Sequence, residues 1–315
     1  MKYSILITYF LILPTLALAN HGPGTTGGGS ITQSAQTLKQ GSFSFSISET
    51  YTNYESISAE EAEGIALFTE GFDAIDDAFL TQLNFAYGIS DDFQLELGIG
   101  WYSGRNFIDA ELEEHDGELE TESSRADPEG LTDLSLRGKY RLYQGRLGQV
   151  SSILGIIFPV GDDDERLSND EILEPSSQPG SGTISIQAGL AYSNFITPKI
   201  TLNASSLYTY RRETGDFQIG QRVDNAITLA YKISEAPEVS LFLETAHLYL
   251  DQDQEDGENN INSGGHSLFL TPGVQFQITK DIGISLSPSF PVLQDLSGEQ
   301  PETDFRIQAQ IFFQN

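Results

Sequence analysis

The stretch Phe93–Gly104, FQLELGIGWYSG, decides the fold. Phe93, Leu95, Leu97, Ile99 and Trp101 are apolar, and Gln94, Glu96, Gly98, Gly100 and Tyr102 stand between them. A period of two marks a strand with one apolar and one polar face. A soluble sandwich turns the apolar face to a core. A membrane barrel turns it to lipid and lines a pore with the other.

The pattern recurs along the chain. Candidate strands are 42–54, 79–89, 93–102, 131–143, 149–160, 183–196, 199–211, 220–233, 238–250, 267–279, 281–293 and 303–314. The short connections SDD, QGRLG, TP, SEAPE and KD alternate with longer loops at 55–78, 103–130, 161–182, 212–219, 251–266 and 294–302. A sandwich has no reason to sort its loops this way, whereas an outer-membrane barrel has short periplasmic turns and long external loops. The chain is therefore expected to be all-β, a transmembrane antiparallel up-and-down β-barrel of about 12 strands. Leu95, Leu97 and Ile99 then face lipid, and Gln94, Glu96 and Gly98 face the lumen. Aromatic residues near strand ends, among them Tyr87, Phe93, Trp101, Tyr208, Tyr249 and Phe313, match two interfacial girdles.

The rest of the chain fits export. Lys2, the apolar run Ile5–Leu13 and Ala17-Leu18-Ala19 read as a signal peptide over 1–19, cut before Asn20. Residues 20–40 read as a flexible Gly-rich segment and 41–315 as the barrel. No later run is apolar enough for a transmembrane helix. The formal net charge of -30 argues against nucleic acid as a partner. With no cysteine, no disulfide holds the fold. Three residues fit badly. Glu49 falls on an apolar face, where a bulge would turn it inward, and Pro272 and Pro288 each remove a ladder donor.

The segments GLTDLSLRGKYRLY, FPVGDDD, PGSGT, LTPGVQFQIT and FPVLQDLSGEQPETDFRIQAQIFF resemble the outer-membrane transporter family related to the phenol meta-degradation pathway. So do HGPGTTGGGS and AYGISDDFQLELGIG. The resemblance implies a barrel in the outer membrane of Gram-negative bacteria with a transport role. It supplies no catalytic residues.

Strand parity sends Arg137, Lys139, Arg141, Arg211, Arg222, Lys232 and Arg306 to the lumen, with Glu96, Asp133, Asp224, Glu244 and Asp304. Opposed basic and acidic rows could set a field that selects solutes by charge, or could pair to fill a narrow barrel. Glu96 is the nearest inward acid by connectivity to Arg137, Lys139 and Arg141. The external loops are acidic at 103–130, at GDDDERLSNDEILE from Gly161 and at DQDQEDGE from Asp251. They could bind divalent cations among lipopolysaccharide phosphates, or be solvated charge runs. The last run resembles an EF-hand loop with one residue too many before its glycine. His21, His115, His247 and His266 are scattered. His247 has outward parity, where an outer-membrane lipid hydrolase would place a catalytic histidine, or where an interfacial polar residue would sit. His21 could chelate copper with the new amino terminus. In the loop 55–78, Ile65, Phe68, Phe72 and Ile75 suit a short amphipathic helix that covers the rim or folds inward.

The expected function is passage of small solutes, hydrophobic or aromatic compounds among them, through an outer-membrane channel without cofactor. A structural or surface-interaction barrel whose lumen is occluded by side chains or by the Gly-rich tail is the alternative, and a lipid hydrolase the remote one. Expected partners are outer-membrane lipid and lipopolysaccharide, the solute, and divalent cations at the loops.

Overall fold

The computed structural model describes residues 28–69, 71–115 and 118–315. The expected signal at 1–19, His21 and Asp116 lie outside the described residues, as do the side chains of Glu113, Glu114, His115 and Glu118.

Twelve long strands follow one another: β1 (Phe43–Tyr54), β2 (Asp77–Ser90), β3 (Phe93–Arg105), β4 (Leu134–Gly145), β5 (Gly148–Phe158) and β6 (Ser185–Thr197). Then come β7 (Ile200–Arg211), β8 (Arg222–Glu235), β9 (Glu238–Leu250), β10 (Gly265–Gln277), β11 (Ile282–Leu296) and β12 (Thr303–Gln314). Each pairs antiparallel with its sequence neighbours, and β12 returns to β1 from Ser44↔Gln314 to Tyr54↔Thr303. The sheet closes, so no strand edge is left with unpaired backbone groups, which is the condition for β structure in lipid. No described helix is long and apolar enough to cross a membrane.

The outward face of the barrel is apolar. Phe45, Ile47, Leu83, Phe85, Leu95, Leu97, Leu229, Leu243 and Ile311 are all exposed. The opening stretch behaves as its period requires, since Leu95, Leu97 and Trp101 are exposed while Gln94 and Glu96 are buried. Aromatic rings cluster at both ends. Phe43 packs on Phe313 at 5.5 Å near the short turns, and Tyr51 packs on Phe79 at 4.8 Å near the long loops.

Three details differ from the sequence expectation or refine it. The ladders on both sides of Glu49 run through it without a bulge. It stays on the outer face, where the Thr81 hydroxyl donates to its Oε2 at 2.5 Å. This bond, one row from the Tyr51 girdle, supplies the partner that a carboxyl group needs there. At Pro272 and Pro288 the β10–β11 pairing stops at Leu270↔Phe290 and resumes at Val274↔Leu286. Thr271 Oγ1 bridges the gap by donating to Ser289 Oγ at 2.7 Å.

The long loops also carry structure of their own. Helix α1 (Ala59–Thr69) packs on a small sheet of Gly71–Ala74, Phe107–His115 and Glu118–Ala126. Ala62, Ala66, Phe72, Ala74, Ile108 and Ala110 form its core. The helix stops before Phe72, which lies in the strand after Gly71. Gly is a poor helix residue, so the three- and four-residue spacing overran the real element. Phe68 is 90% exposed. The run from Asp251 forms a hairpin with Asp256 and Gly257 at its turn (φ +52° and +80°).

Residues 28–40 run inside the barrel. Thr32, Ser34, Ala35 and Leu38 are at most 1% exposed, so this stretch is packed where its composition suggested flexibility. Its small and polar side chains suit a polar interior, a tertiary preference that composition alone does not register.

Candidate functional site

The lumen is built from the inward rows. Beginning at the short-turn end, the Gln40 amide donates to Asp91 Oδ1 at 2.9 Å and the Leu38 amide to Gln94 Oε1 at 2.9 Å. Further in, the Ala35 amide donates to Ser193 Oγ at 2.8 Å, and the Gln33 amide to Ser205 Oγ at 3.0 Å. The segment ends on Glu244, which is 0% exposed. Its carboxylate accepts from the Ile31 amide at 3.0 Å, the Thr32 amide at 2.8 Å, the Thr32 hydroxyl at 2.6 Å and the Thr228 hydroxyl at 3.0 Å. These donors stabilise a charge that would be costly to bury alone. Gly29 passes so close that a Cβ would collide with Glu244 and Thr228.

The remaining charges expected in the lumen separate into distinct groups. Glu96 stands opposite Arg137 in the β3–β4 ladder, and the two form an ion pair. Lys139, 5% exposed, is the next inward residue along β4. Arg141 is not a third rung in mid-lumen. Its guanidinium reaches the β2–β3 turn, with Nη2 2.6 Å from Asp92 Oδ1. Arg222 pairs with Asp224 at 2.7 Å on its own strand. Lys232 pairs with Glu238 at 2.9 Å across the β8–β9 turn. Arg306 lies over the Phe269 ring at 4.3 Å, and Arg211 Nη1 donates to Gly220 O at 2.6 Å. Asp133 accepts from the Gly161 and Ser181 amides in the external loops, while Asp304 is exposed at the external end of β12. The like charges on β4 are thus interleaved with acids rather than forming one continuous wall.

Beyond the buried segment a cavity of about 370 Å³ opens in the lumen, lined by Gln82, Asn84, Arg137, Gln187 and Arg211 among others. Ser176 lines both this cavity and a larger one, of about 1010 Å³, among the external loops. Asp73, Asp109, Glu111, Glu174, Asp253 and Glu255 face that vestibule. Asp73 and Asp109 stand directly opposite each other. Burial, and then the neighbouring Glu111 and Glu171, push Asp109 up to about 6. Burial, and then Glu255, Asp253 and Asp109, push Glu174 up to about 7. Burial and then Glu174 raise Asp73 well above the usual carboxylate range. Among the described residues no group of three His, Asp or Glu is arranged to hold a metal.

Residues 21–291 match the family described as "Putative MetA-pathway of phenol degradation". The chain belongs to that family. No curated protein matches it. Among solved structures it is similar to the COG4313 outer-membrane channel from Pseudomonas putida F1, at 14% identity and a TM-score of 0.59, covering 89% of this chain and 98% of that one. A TodX monoaromatic hydrocarbon channel mutant aligns at 11% identity and a TM-score of 0.45, over 88% and 90% of the two chains. At such identity the first likeness concerns the fold, and it agrees with the closed barrel. This member of the phenol-degradation family is an outer-membrane β-barrel.

His247, the histidine considered for a lipid hydrolase, lies near the external end of β9. The hydrogen-bond partners described for His247 are Asn225 and His266, and no serine hydroxyl is among them. Sequence reasoning offered the Gly-rich tail as an occluder of the lumen without deciding it, and the structure buries Thr32, Ser34, Ala35 and Leu38 of that tail inside the barrel. The available signal was Gly28-Gly29, followed by the small polar side chains of SITQS.

Proposed function

We propose that this barrel passes small solutes across the outer membrane and that residues 28–40 must shift for the path to open. The observation that carries this reading is the polar lumen cavity of about 370 Å³, which shares Ser176 with the vestibule, while residues 28–40 bond other inward residues, Gln94 and Ser205 among them. A lumen lined by Gln82, Asn84, Gln187, Arg137 and Arg211 can bond a hydroxyl or a carboxylate. The family description names a phenol-degradation pathway, and a phenol carries such a hydroxyl on an apolar ring, so phenols are the solute class to test first. The signal at 1–19 would direct export before insertion. Lipopolysaccharide would surround the external girdle, and the acidic loops would attract divalent cations loosely.

The second reading, an occluded structural barrel, is favoured by the same segment, because its bonds to Glu244, Ser193 and Gln94 fill the end of the lumen near the short turns. Conductance in planar bilayers separates the two. The whole chain should show small or infrequent openings, and a variant lacking residues 28–40 should show a larger and steadier conductance. A barrel that stays closed in both forms, while folded, is an occluded one.

A further inference from the structure

His247 on β9 and His266 on β10 lie diagonally across one antiparallel pair, because His247 stands opposite Leu268 and His266 opposite Tyr249. The outward row of β9 includes the exposed Leu241 and Leu243, so His247 and its diagonal neighbour share the outer face. They sit near the external ends of their strands. His247 Nε2 is 3.2 Å from His266 Nδ1. The rings are stacked, with centroids 5.4 Å apart and planes 24° from parallel. Tyr249 packs on His266 with centroids 4.7 Å apart. Asn225 Nδ2 lies 3.5 Å from His247 Nδ1.

Two imidazole nitrogens this close are joined by one shared hydrogen. A cation can take that hydrogen's place. A tetrahedral Zn²⁺ with Zn–N bonds of about 2.0–2.1 Å sets two ligand nitrogens about 3.3 Å apart. The observed spacing meets that requirement once each ring turns by about 35°, so that its lone pair leaves the N–N line and aims at a common point. Imidazole nitrogen favours Zn²⁺ and Cu²⁺ over the oxygen-seeking Ca²⁺ and Mg²⁺. On the far side of His266, Asp295 is its register partner in β11, where a carboxylate can fix the orientation of a ligating ring.

We propose that His247 and His266 form a cross-strand site for a late first-row divalent cation, Zn²⁺ or Cu²⁺, on the outer face of the barrel at its external end. Water completes the coordination. Bound there, the cation ties β9 to β10, and the site is independent of the lumen and of what passes through it.

The test uses the full mature chain in detergent, without a histidine tag, in a His21→Ala background so that the amino terminus does not compete. Excess Ca²⁺ occupies the carboxylates of the loops. Calorimetry with Zn²⁺ should give one site per chain, and Cu²⁺ electron paramagnetic resonance should show coupling to two imidazole nitrogens. His247→Ala and His266→Asn should each weaken Zn²⁺ at least tenfold and reduce the nitrogen coupling, with heat-modifiable migration confirming that each variant is folded. Zn²⁺ displaced by Ca²⁺, a Cu²⁺ spectrum without imidazole nitrogen, or an affinity that either substitution leaves unchanged would overturn the proposal.

Discussion

Glu96 of β3 and Arg137 of β4 are direct cross-strand partners, and their side chains meet inside the barrel. Glu96 is 4% exposed and Lys139 is 5% exposed. Taking away the acid leaves buried cations without a counter-charge, a loss of about 3–5 kcal/mol for a buried pair. Glu96→Gln should therefore lower the denaturant midpoint of the folded, heat-modifiable band. Arg137→Met in the same chain should restore part of it, and an undiminished midpoint in Glu96→Gln would mean that the pair contributes little.

The same geometry divides the basic residues of β4 by role. Arg141 is held at the turn by Asp92, whereas Arg137 lines the lumen cavity. Charges inside a narrow pore are poorly screened, while loop charges beyond about 8–10 Å are screened at physiological salt. Arg137→Gln should shift high-salt selectivity towards cations, as read from the reversal potential, and Arg141→Gln should leave it unchanged. Equal effects of the two would show that the ladder acts as one wall.

Glu244 holds the inner end of residues 28–40. Glu244→Gln keeps an acceptor oxygen but removes the charge that four donors share, so openings should become more frequent. Gly29→Val attacks the same contact from the other side, since its side chain would have to displace Glu244 and Thr228. Both substitutions should raise conductance in bilayers and expose residues 28–40 to added protease. If only Glu244→Gln does so, the effect belongs to lumen charge and not to the segment.

The vestibule should respond to pH. Unfolded carboxylates titrate near 4, whereas Asp109 titrates at about 6 and Glu174 at about 7 in the folded loops. Between those values the folded form binds more protons, so its loop packing is strongest below about pH 4 and is lost as pH rises through 6 and 7. Hydrogen-exchange protection factors, corrected for the intrinsic pH dependence of amide exchange, should be higher at pH 5 than at pH 8 in the loop strands Gly71–Ala74 and Phe107–Glu111. Asp109→Asn with Glu174→Gln should flatten that difference, and a difference that survives both changes would place its origin elsewhere.

The barrel itself was legible because a period of two persists in every strand and because loop length alternates along the chain. Closure and the outward rows of Leu95, Leu97 and Ile99 follow from those two signals alone. The pairing of Glu96 with Arg137 required register, which side-chain alternation leaves free by steps of two residues. Glu49 was expected to need a bulge, yet a single hydroxyl on the next strand is enough to accommodate it. The helix was overextended because Phe72 keeps a helical spacing after the backbone has turned into a strand. Whether residues 28–40 fill the lumen was left undecided by sequence, because Thr32, Ser34 and Ala35 look alike in a solvated tail and in a polar cavity. Only the partners distinguish these cases, and those lie some 160 to 210 positions away in sequence.

The buried stretch runs directly into β1, which forms the closing seam with β12. The first strand made therefore waits for the last before the cylinder can shut. Gln33, Ala35 and Thr32 find their acceptors on β7, β6 and β9, none of which takes part in that seam. Folding can thus wrap the later strands around an interior thread already in place, rather than push a thread into a finished tube. Assembly of the wall and filling of its interior then become one event, and a damaged thread should be felt first as slow insertion.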